Sequence, residues 1–121
     1  MESSRSKVSA VESKAQWEDL VNKAKEQGTP IVAHFGATWC VTSFVMNPFF
    51  EELASEYADV MFVNVDVDEV KEVASMMEVK AMPTFLVLKD GIVVDKMVGA
   101  NKDELRKRVE KFTQPTGANM A

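Results

Sequence analysis

The segment PIVAHFGA, residues 30–37, constrains the fold most, because it is a short and almost continuous apolar run. Such a run is typical of a strand that is covered on both faces, as in a parallel sheet flanked by helices. The β-branched run VMFVNVDV, residues 60–67, has the same character. We therefore expect a layered α/β domain with its central strands buried on both sides.

Helical periodicity alternates with these strands. Segment 13–28 predicts a first helix, with Ser13 and Gln16 placed as a capping box and Gly28 as the stop. Its apolar positions near helical spacing are Ala15, Leu20, Val21 and Ala24. Three further helices are expected: residues 44–58 with an internal Pro48, residues 68–77 capped by Asp68, and residues 101–112 capped by Asn101. Residues 84–88 and 92–98 predict a hairpin around Lys89-Asp90-Gly91.

Length and composition bound the class of protein. The chain has 121 residues, 46% of them hydrophobic, and a net charge of −5, which fits one soluble domain and argues against nucleic acid as a partner. No apolar run approaches the ~20 residues that span a bilayer, and the start MESSRSKVS has no secretory h-region. We expect a cytoplasmic protein with a flexible arm (1–6), one domain (7–112) and a flexible tail (113–121).

The only cysteine, Cys40, lies in the segment ATWCVTSF and has Ser43 three residues after it. A lone cysteine excludes an internal disulfide, and one cysteine with one histidine does not make a metal site. Cysteine at this spacing from serine, directly after Trp39, has the form of a disulfide-exchange site that lacks its second thiol.

Several segments together make the chain resemble the thioredoxin family over about residues 7–112. They are Trp39-Cys40 after the second predicted strand, Pro48 inside the next helix, VDVDEV (65–70), AMPTF (81–85) with the cis-proline position at Pro83, LKDG (88–91) and VGAN (98–101). The resemblance implies the thioredoxin fold, a central mixed sheet of four to five strands flanked by four helices. More narrowly, the chain is similar to plant CXXS-type thioredoxins, relatives of the h class in which the second active-site cysteine is serine.

The same resemblance implies an activity and a set of site residues. CXXS-type proteins are described as poor disulfide reductases that are competent in disulfide isomerisation. Catalysis would fall to Cys40 and Ser43, with Trp39, Val41, Thr42 and His34 as active-site neighbours. The substrate groove would contain Met82, Pro83, Gly99 and Ala100.

The chain departs from the usual thioredoxin pattern at a connected group of positions. In the active-site segment, Val41-Thr42 replace a Gly-Pro pair, Ser43 replaces the resolving cysteine and Phe44 replaces a lysine. On the neighbouring strands, His34 replaces a buried aspartate and Asn64 replaces a lysine. A buried His34 is either a neutral structural residue or a proton relay to Cys40. Both interpretations stay open at this point.

If Cys40 lies at a helix N-terminus, the backbone N–H groups there favour its thiolate, and the Ser43 hydroxyl can donate a hydrogen bond to the sulfur. Attack on a substrate disulfide gives a mixed disulfide, which a substrate thiol or an external thiol such as glutathione must resolve. We expect disulfide-containing or misoxidised proteins as partners, no resident cofactor, and a monomer that oxidation could link through Cys40. Two alternatives remain: a redox-silent peptide-binding module, and a glutathione-linked monothiol glutaredoxin-like protein.

Overall fold

A five-stranded mixed sheet with strand order β1-β3-β2-β4-β5 organises the protein. The computed structural model describes residues 7–113, so the predicted arm (1–6) and nearly all of the predicted tail lie outside the described residues. The elements in chain order are β1 (Val8–Val11), α1 (Lys14–Gln27), β2 (Ile31–Gly36), α2 (Val41–Glu56), β3 (Met61–Asp66), α3 (Lys71–Met76), β4 (Thr84–Lys89), β5 (Ile92–Val98) and α4 (Lys102–Glu110).

Strand β2 occupies the centre of the sheet, and all six of its residues are buried. It runs parallel to β3 and antiparallel to β4, so that His34 has Asn64 on one side and Phe85 on the other. One core cluster packs α1 and α3 on one face of the sheet, and a second packs α2 and α4 on the other. The expected mixed sheet, covered on both faces by four helices, is confirmed.

The first helix begins and ends where the sequence predicts. The Ser13 hydroxyl accepts a hydrogen bond of 3.1 Å from the backbone N–H of Gln16, and Gly28 ends the helix at φ 69°. The predicted capping box is only half formed, because the Gln16 side chain bonds the backbone of Glu12 and Ala10 instead of Ser13.

The buried face of α1 also differs from the expected one. Trp17 and Ala24 are its buried residues, and Leu20 and Val21 pack partly against the core. Ala15 is exposed. Trp17, one helical turn before Val21, brings a large ring edge-on against Phe35 of β2, so it takes the place that Ala15 was expected to fill.

The predicted cap at Asp68 is wrong. Helix α3 begins at Lys71 after Val70, which makes no side-chain cap. Asp66 causes the delay, because its carboxylate accepts the backbone N–H groups of Asp68 and Glu69 and folds residues 66–69 into a turn.

The other predicted elements are present. Helix α2 continues through Pro48, and Asn101 caps α4 by accepting a hydrogen bond of 3.0 Å from Glu104. Strands β4 and β5 form the expected hairpin, with positive φ at Asp90 and Gly91. Within residues 7–113, no helix is long and apolar enough to cross a membrane.

Candidate active site

Cys40 is the N-cap residue of α2, at the point where the chain leaves the central strand β2 and enters the helix. Its backbone is extended and its N–H bonds the carbonyl oxygen of Ala37 at 3.1 Å, which fixes the short connection between strand and helix. The side chain is half-buried. The sulfur therefore faces the first backbone N–H groups of α2, in the place where a capping oxygen normally lies.

Hydrogen bonds at the helix terminus lower the pKa of the Cys40 thiol. The largest contribution comes from the Thr42 hydroxyl, 3.3 Å from Sγ, and the next from the backbone N–H of Ser43. These donors stabilise the thiolate more than partial burial opposes it. The sulfur is therefore a stronger candidate nucleophile than an ordinary exposed cysteine at the same pH.

The sequence predicted that Ser43 would donate to the sulfur, and in the structure Thr42 is the stronger donor while the Ser43 hydroxyl contributes less. Ser43 is 3% exposed, and its hydroxyl makes no hydrogen bond of ordinary geometry with the described residues. It still lies near enough to the sulfur to lower the pKa of Cys40, although less than the Thr42 hydroxyl does. The physical reason is that the Ser43 hydroxyl points inward to Gly36 of β2.

The loop before β4 lies opposite Cys40. The Met82–Pro83 peptide bond is cis, and the thiol of Cys40 donates a long hydrogen bond of 3.9 Å to the carbonyl oxygen of Met82. Gly99 donates its N–H to the carbonyl oxygen of Pro83 at 2.8 Å, which joins the end of β5 to this loop. Ala100 follows as an exposed residue. Backbone polar groups thus lie beside the sulfur, where an extended peptide could pair with them.

Exposed apolar side chains flank Cys40 along the chain. Val41, Phe44 and Val45 on α2 are exposed by 73%, 67% and 49%, and Trp39 before them by 63%. The Trp39 indole N–H donates a hydrogen bond of 2.6 Å to the carboxylate of Asp68. Trp39 is therefore a surface residue and not part of the core. We call Trp39, Val41, Phe44 and Val45 the apolar rim.

His34 lies beneath the site on β2 and is 3% exposed. Its ring stacks on Phe85 with 4.6 Å between centroids, and its Nδ1 lies 2.9 Å from Oδ1 of Asn64. Burial lowers the pKa of His34 to about 4, although the bond to Asn64 acts in the opposite direction. His34 is therefore neutral near pH 7, as expected for a buried histidine.

A pocket of about 310 Å³ lies between α2 and the ends of β2 and β3. Polar and apolar side chains line it, among them His34, Ser43, Phe44, Asn64 and Asp66. Sequence reasoning placed Asn64 and Phe44 at departures from the family pattern, but no pattern indicated that they would bound one cavity. In the part of the chain that the structure describes, no three His, Cys, Asp or Glu side chains converge as a metal site.

The structure thus brings most of the predicted site residues together. Trp39 through Ser43 form one continuous segment, and the sulfur of Cys40 faces Met82 and the loop that Gly99 holds. His34 lies behind Ser43, since both approach the same side of Gly36. Sequence reasoning missed the hydrogen bond that Trp39 donates to Asp68 and the leading role of Thr42. The only local signal for the role of Thr42 was its hydroxyl two residues after Cys40.

Comparisons with known proteins agree with this geometry. The family model described as Thioredoxin matches residues 8–111. Thioredoxin-like protein CXXS1 of Arabidopsis thaliana is 60% identical over 108 residues, which cover 89% of this chain and 92% of that protein. Its namesake in Oryza sativa subsp. japonica is 52% identical over 112 residues, which cover 93% and 84%.

Solved structures give the same assignment. The crystal structure of thioredoxin NaTrxh from Nicotiana alata superposes with a TM-score of 0.86 at 43% identity, over 90% of this chain and 95% of that one. The poplar thioredoxin h PtTrxh4 superposes with a TM-score of 0.84 at 38% identity, over 87% and 95%. The family model, the similar proteins and the solved structures all indicate a thioredoxin domain, and in this chain a cysteine caps its second helix. The chain therefore belongs to the thioredoxin family and is a thiol–disulfide oxidoreductase.

Proposed function

We propose that this protein exchanges disulfides through Cys40 alone, acting mainly as a protein disulfide isomerase and only weakly as a reductase. The observation that carries the proposal is the position of Cys40 at the N-cap of α2, with a lowered pKa, while Ser43 occupies the place of a second thiol. A hydroxyl cannot form a disulfide, so this site offers one sulfur for the reaction.

The first step follows from the chemistry of a thiolate. The Cys40 thiolate attacks one sulfur of a substrate disulfide, the S–S bond of the substrate breaks, and the other substrate sulfur leaves as a thiolate. A mixed disulfide between Cys40 and the substrate results. The carbonyl oxygen of Met82 and the apolar rim lie beside the sulfur, where they can hold the substrate chain during this step.

Release then depends on a thiol from elsewhere. If another thiolate of the same substrate attacks the mixed disulfide at the substrate sulfur, a new substrate disulfide forms and Cys40 leaves as thiolate. No electrons are gained or lost in that cycle, which is isomerisation. If two molecules of glutathione act in succession, the substrate is reduced and glutathione disulfide forms. We propose that the second route is slower, because it needs two encounters with an external thiol, whereas a thiolate of the bound substrate attacks within the complex.

The proposal does not require His34 as a base. A histidine with a pKa of about 4 is neutral near pH 7, so it has no acidic proton to give and accepts a second proton only weakly. The lowered pKa of Cys40 already provides the thiolate that attacks. Disulfide-containing proteins in a reducing compartment such as the cytoplasm are the substrates we propose, since external thiols are available there.

Refolding of a protein with scrambled disulfides, in a glutathione buffer, tests the function. The parent chain should accelerate recovery of native activity, and Cys40→Ser should not, although it keeps the fold. Cys40→Ser is a matched control because it changes one atom. Equal acceleration by both would refute the isomerase, and acceleration by neither would favour a binding role.

The apolar rim supports one alternative, a peptide-binding module without turnover. Four exposed apolar side chains in and beside the first turns of α2 offer an extended peptide an apolar surface whether or not the sulfur reacts. In that case Cys40→Ser would bind unfolded peptides as tightly as the parent, and neither would catalyse exchange. The thioredoxin match over residues 8–111 leaves the glutaredoxin-like alternative without support.

A further inference from the structure

Two buried polar atoms behind Cys40 have no hydrogen-bond partner among the residues that the structure describes. They are Nε2 of His34 and Oγ of Ser43, and each residue is 3% exposed. A buried polar group without a partner destabilises a fold by roughly 1–3 kcal/mol, so such atoms are normally satisfied by protein or by ordered water. Two in one place indicate that something binds there.

The two atoms approach the same side of Gly36. A Cβ atom added to Gly36 would lie 2.6 Å from Oγ of Ser43 and 3.1 Å from Nε2 of His34. All three residues line the 310 Å³ pocket between α2 and the sheet. A water molecule needs roughly 30 Å³ and two to four polar partners, and the pocket offers both the space and the first two partners.

The ring of His34 has a defined direction. Oδ1 of Asn64 can only accept, so we assign the ring proton of His34 to Nδ1, 2.9 Å away. A neutral imidazole carries one proton, and Nε2 therefore presents a lone pair to the pocket. The bound group must be a hydrogen-bond donor.

We propose that a water molecule, or a hydroxyl of similar size, binds between His34 and Ser43 over Gly36 and donates one hydrogen bond to each. The hydroxyl proton of Ser43 is then free to point toward the Cys40 sulfur, one helical turn away. The chain of donors runs from the bound water to Ser43 and from Ser43 to the thiolate. His34 and Asn64 are positioning residues in this arrangement, because they act on the sulfur only through the water and Ser43.

The charged and titratable groups around the pocket do not offer another donor. Asp66 lines it from β3, but a carboxylate only accepts, and its Oδ1 already holds the turn at Asp68 and Glu69. The helix contributes Ser43, the exposed Phe44 and Asn47. The Asn47 amide and the Thr38 hydroxyl in the lining can donate, but neither bonds Nε2 of His34 or Oγ of Ser43. Cys40, whose protonation is the readout below, lies outside the pocket lining.

The single histidine of the chain allows a direct test. In a ¹⁵N-histidine NMR spectrum of the reduced protein at neutral pH, we expect Nδ1 to be protonated and Nε2 to be an unprotonated acceptor of a hydrogen bond. The tautomer with a proton on Nε2 would overturn the proposal. This measurement uses the unmodified chain and does not depend on any variant folding.

A double-mutant cycle tests the coupling to Cys40. His34→Phe keeps an aromatic ring against Phe85 and removes Nε2, and Ser43→Ala removes the hydroxyl. We expect His34→Phe to slow alkylation of Cys40 by iodoacetamide at pH 7 about threefold, the factor for one hydrogen bond at the weak end of the range. In the Ser43→Ala background, His34→Phe should change nothing further.

Equal slowing in both backgrounds, or none in either, would overturn the proposal. Gly36→Ala is an independent variant, since its methyl group would intrude between the two polar atoms, and it should slow alkylation as His34→Phe does. Alkylation involves no substrate disulfide. Failure of this inference is therefore distinguishable from failure of the proposed isomerase activity.

Discussion

Trp39 and Asp68 are joined by a hydrogen bond of 2.6 Å from the indole N–H to the carboxylate. The bond connects the residue before Cys40 to the turn that follows β3. It orients an indole ring that is 63% exposed, and it thus fixes one wall of the apolar rim. The carboxylate that the sequence placed at a helix cap serves the site instead.

Asp68→Ala should weaken substrate binding, because Trp39 then loses the contact that orients it. We expect the KM for a disulfide-containing protein to rise about threefold with kcat retained, and the free energy of unfolding to change by less than about 0.5 kcal/mol. Steady-state kinetics and chemical denaturation measure these quantities. Asp68→Asn keeps an acceptor oxygen and should fall between parent and Asp68→Ala. A drop in kcat at constant KM would contradict this role.

Thr42→Val should raise the pKa of Cys40, because the hydroxyl 3.3 Å from Sγ makes the largest contribution to lowering it. The thiolate is the reactive form, so alkylation accelerates as the pH rises through that pKa, and the variant's profile should lie at higher pH. At pH 7 the rate should fall about threefold. Thr42→Ser retains the hydroxyl and should follow the parent. An unchanged profile in Thr42→Val would assign the shift to the backbone N–H groups.

His34 should make the protein less stable as the pH falls below neutral. Its pKa is lowered from 6.5 to about 4 in the folded chain, so between these values the unfolded chain binds a proton that the folded chain does not. The free energy of unfolding therefore decreases through this window, by about 2 kcal/mol at pH 5 relative to pH 7.5.

Denaturant unfolding of the parent and of His34→Phe at both pH values measures this effect. His34→Phe removes the titrating group, and it should lose less stability than the parent by about that amount. Carboxylates elsewhere titrate equally in both proteins and cancel in the comparison. Equal losses of stability in the two proteins would show that folding does not lower the pKa of His34.

Ser43→Cys should restore net reduction of disulfides, because a second thiol one helical turn from Cys40 can attack the mixed disulfide within the molecule. Intramolecular attack gains a large effective concentration over external thiols, and we expect reductase turnover to rise about tenfold or more. An insulin reduction assay measures it, and mass spectrometry should detect an internal disulfide. The absence of that disulfide would mean that the buried side chain at 43 cannot reach Cys40.

The sequence was sufficient for most of the architecture because its signals were local. Ser13 and Gly28 marked the two ends of α1. The continuous apolar run of β2 indicated a strand buried at the centre of the sheet. Periodicity did not predict β1, Val8–Val11. It is a four-residue edge strand with only Val11 buried, so its pattern is too short to stand out, and its pairing with β3 decides its conformation.

The site was harder to predict in its details than in its position. The resemblance to thioredoxins implied that Cys40 lies beside the loop at Pro83, but the direction of each side chain depends on contacts between distant segments. Thr42 is the stronger donor to the sulfur, because the Ser43 hydroxyl faces the central strand. The bond from Trp39 to Asp68 spans 29 residues, which no local pattern encodes.

Strand β2 carries His34 and Gly36 and is also buried along its whole length. In the proposed arrangement, the strand that anchors both hydrophobic cores is the one that tunes the acidity of the sulfur. Substitutions in β2 that change the reactivity of Cys40 therefore fall in the part of the protein that tolerates change least. Substitutions in the exposed apolar rim would change substrate binding with little effect on the fold, whereas substitutions in β2 that change the acidity of Cys40 would also change the stability of the protein.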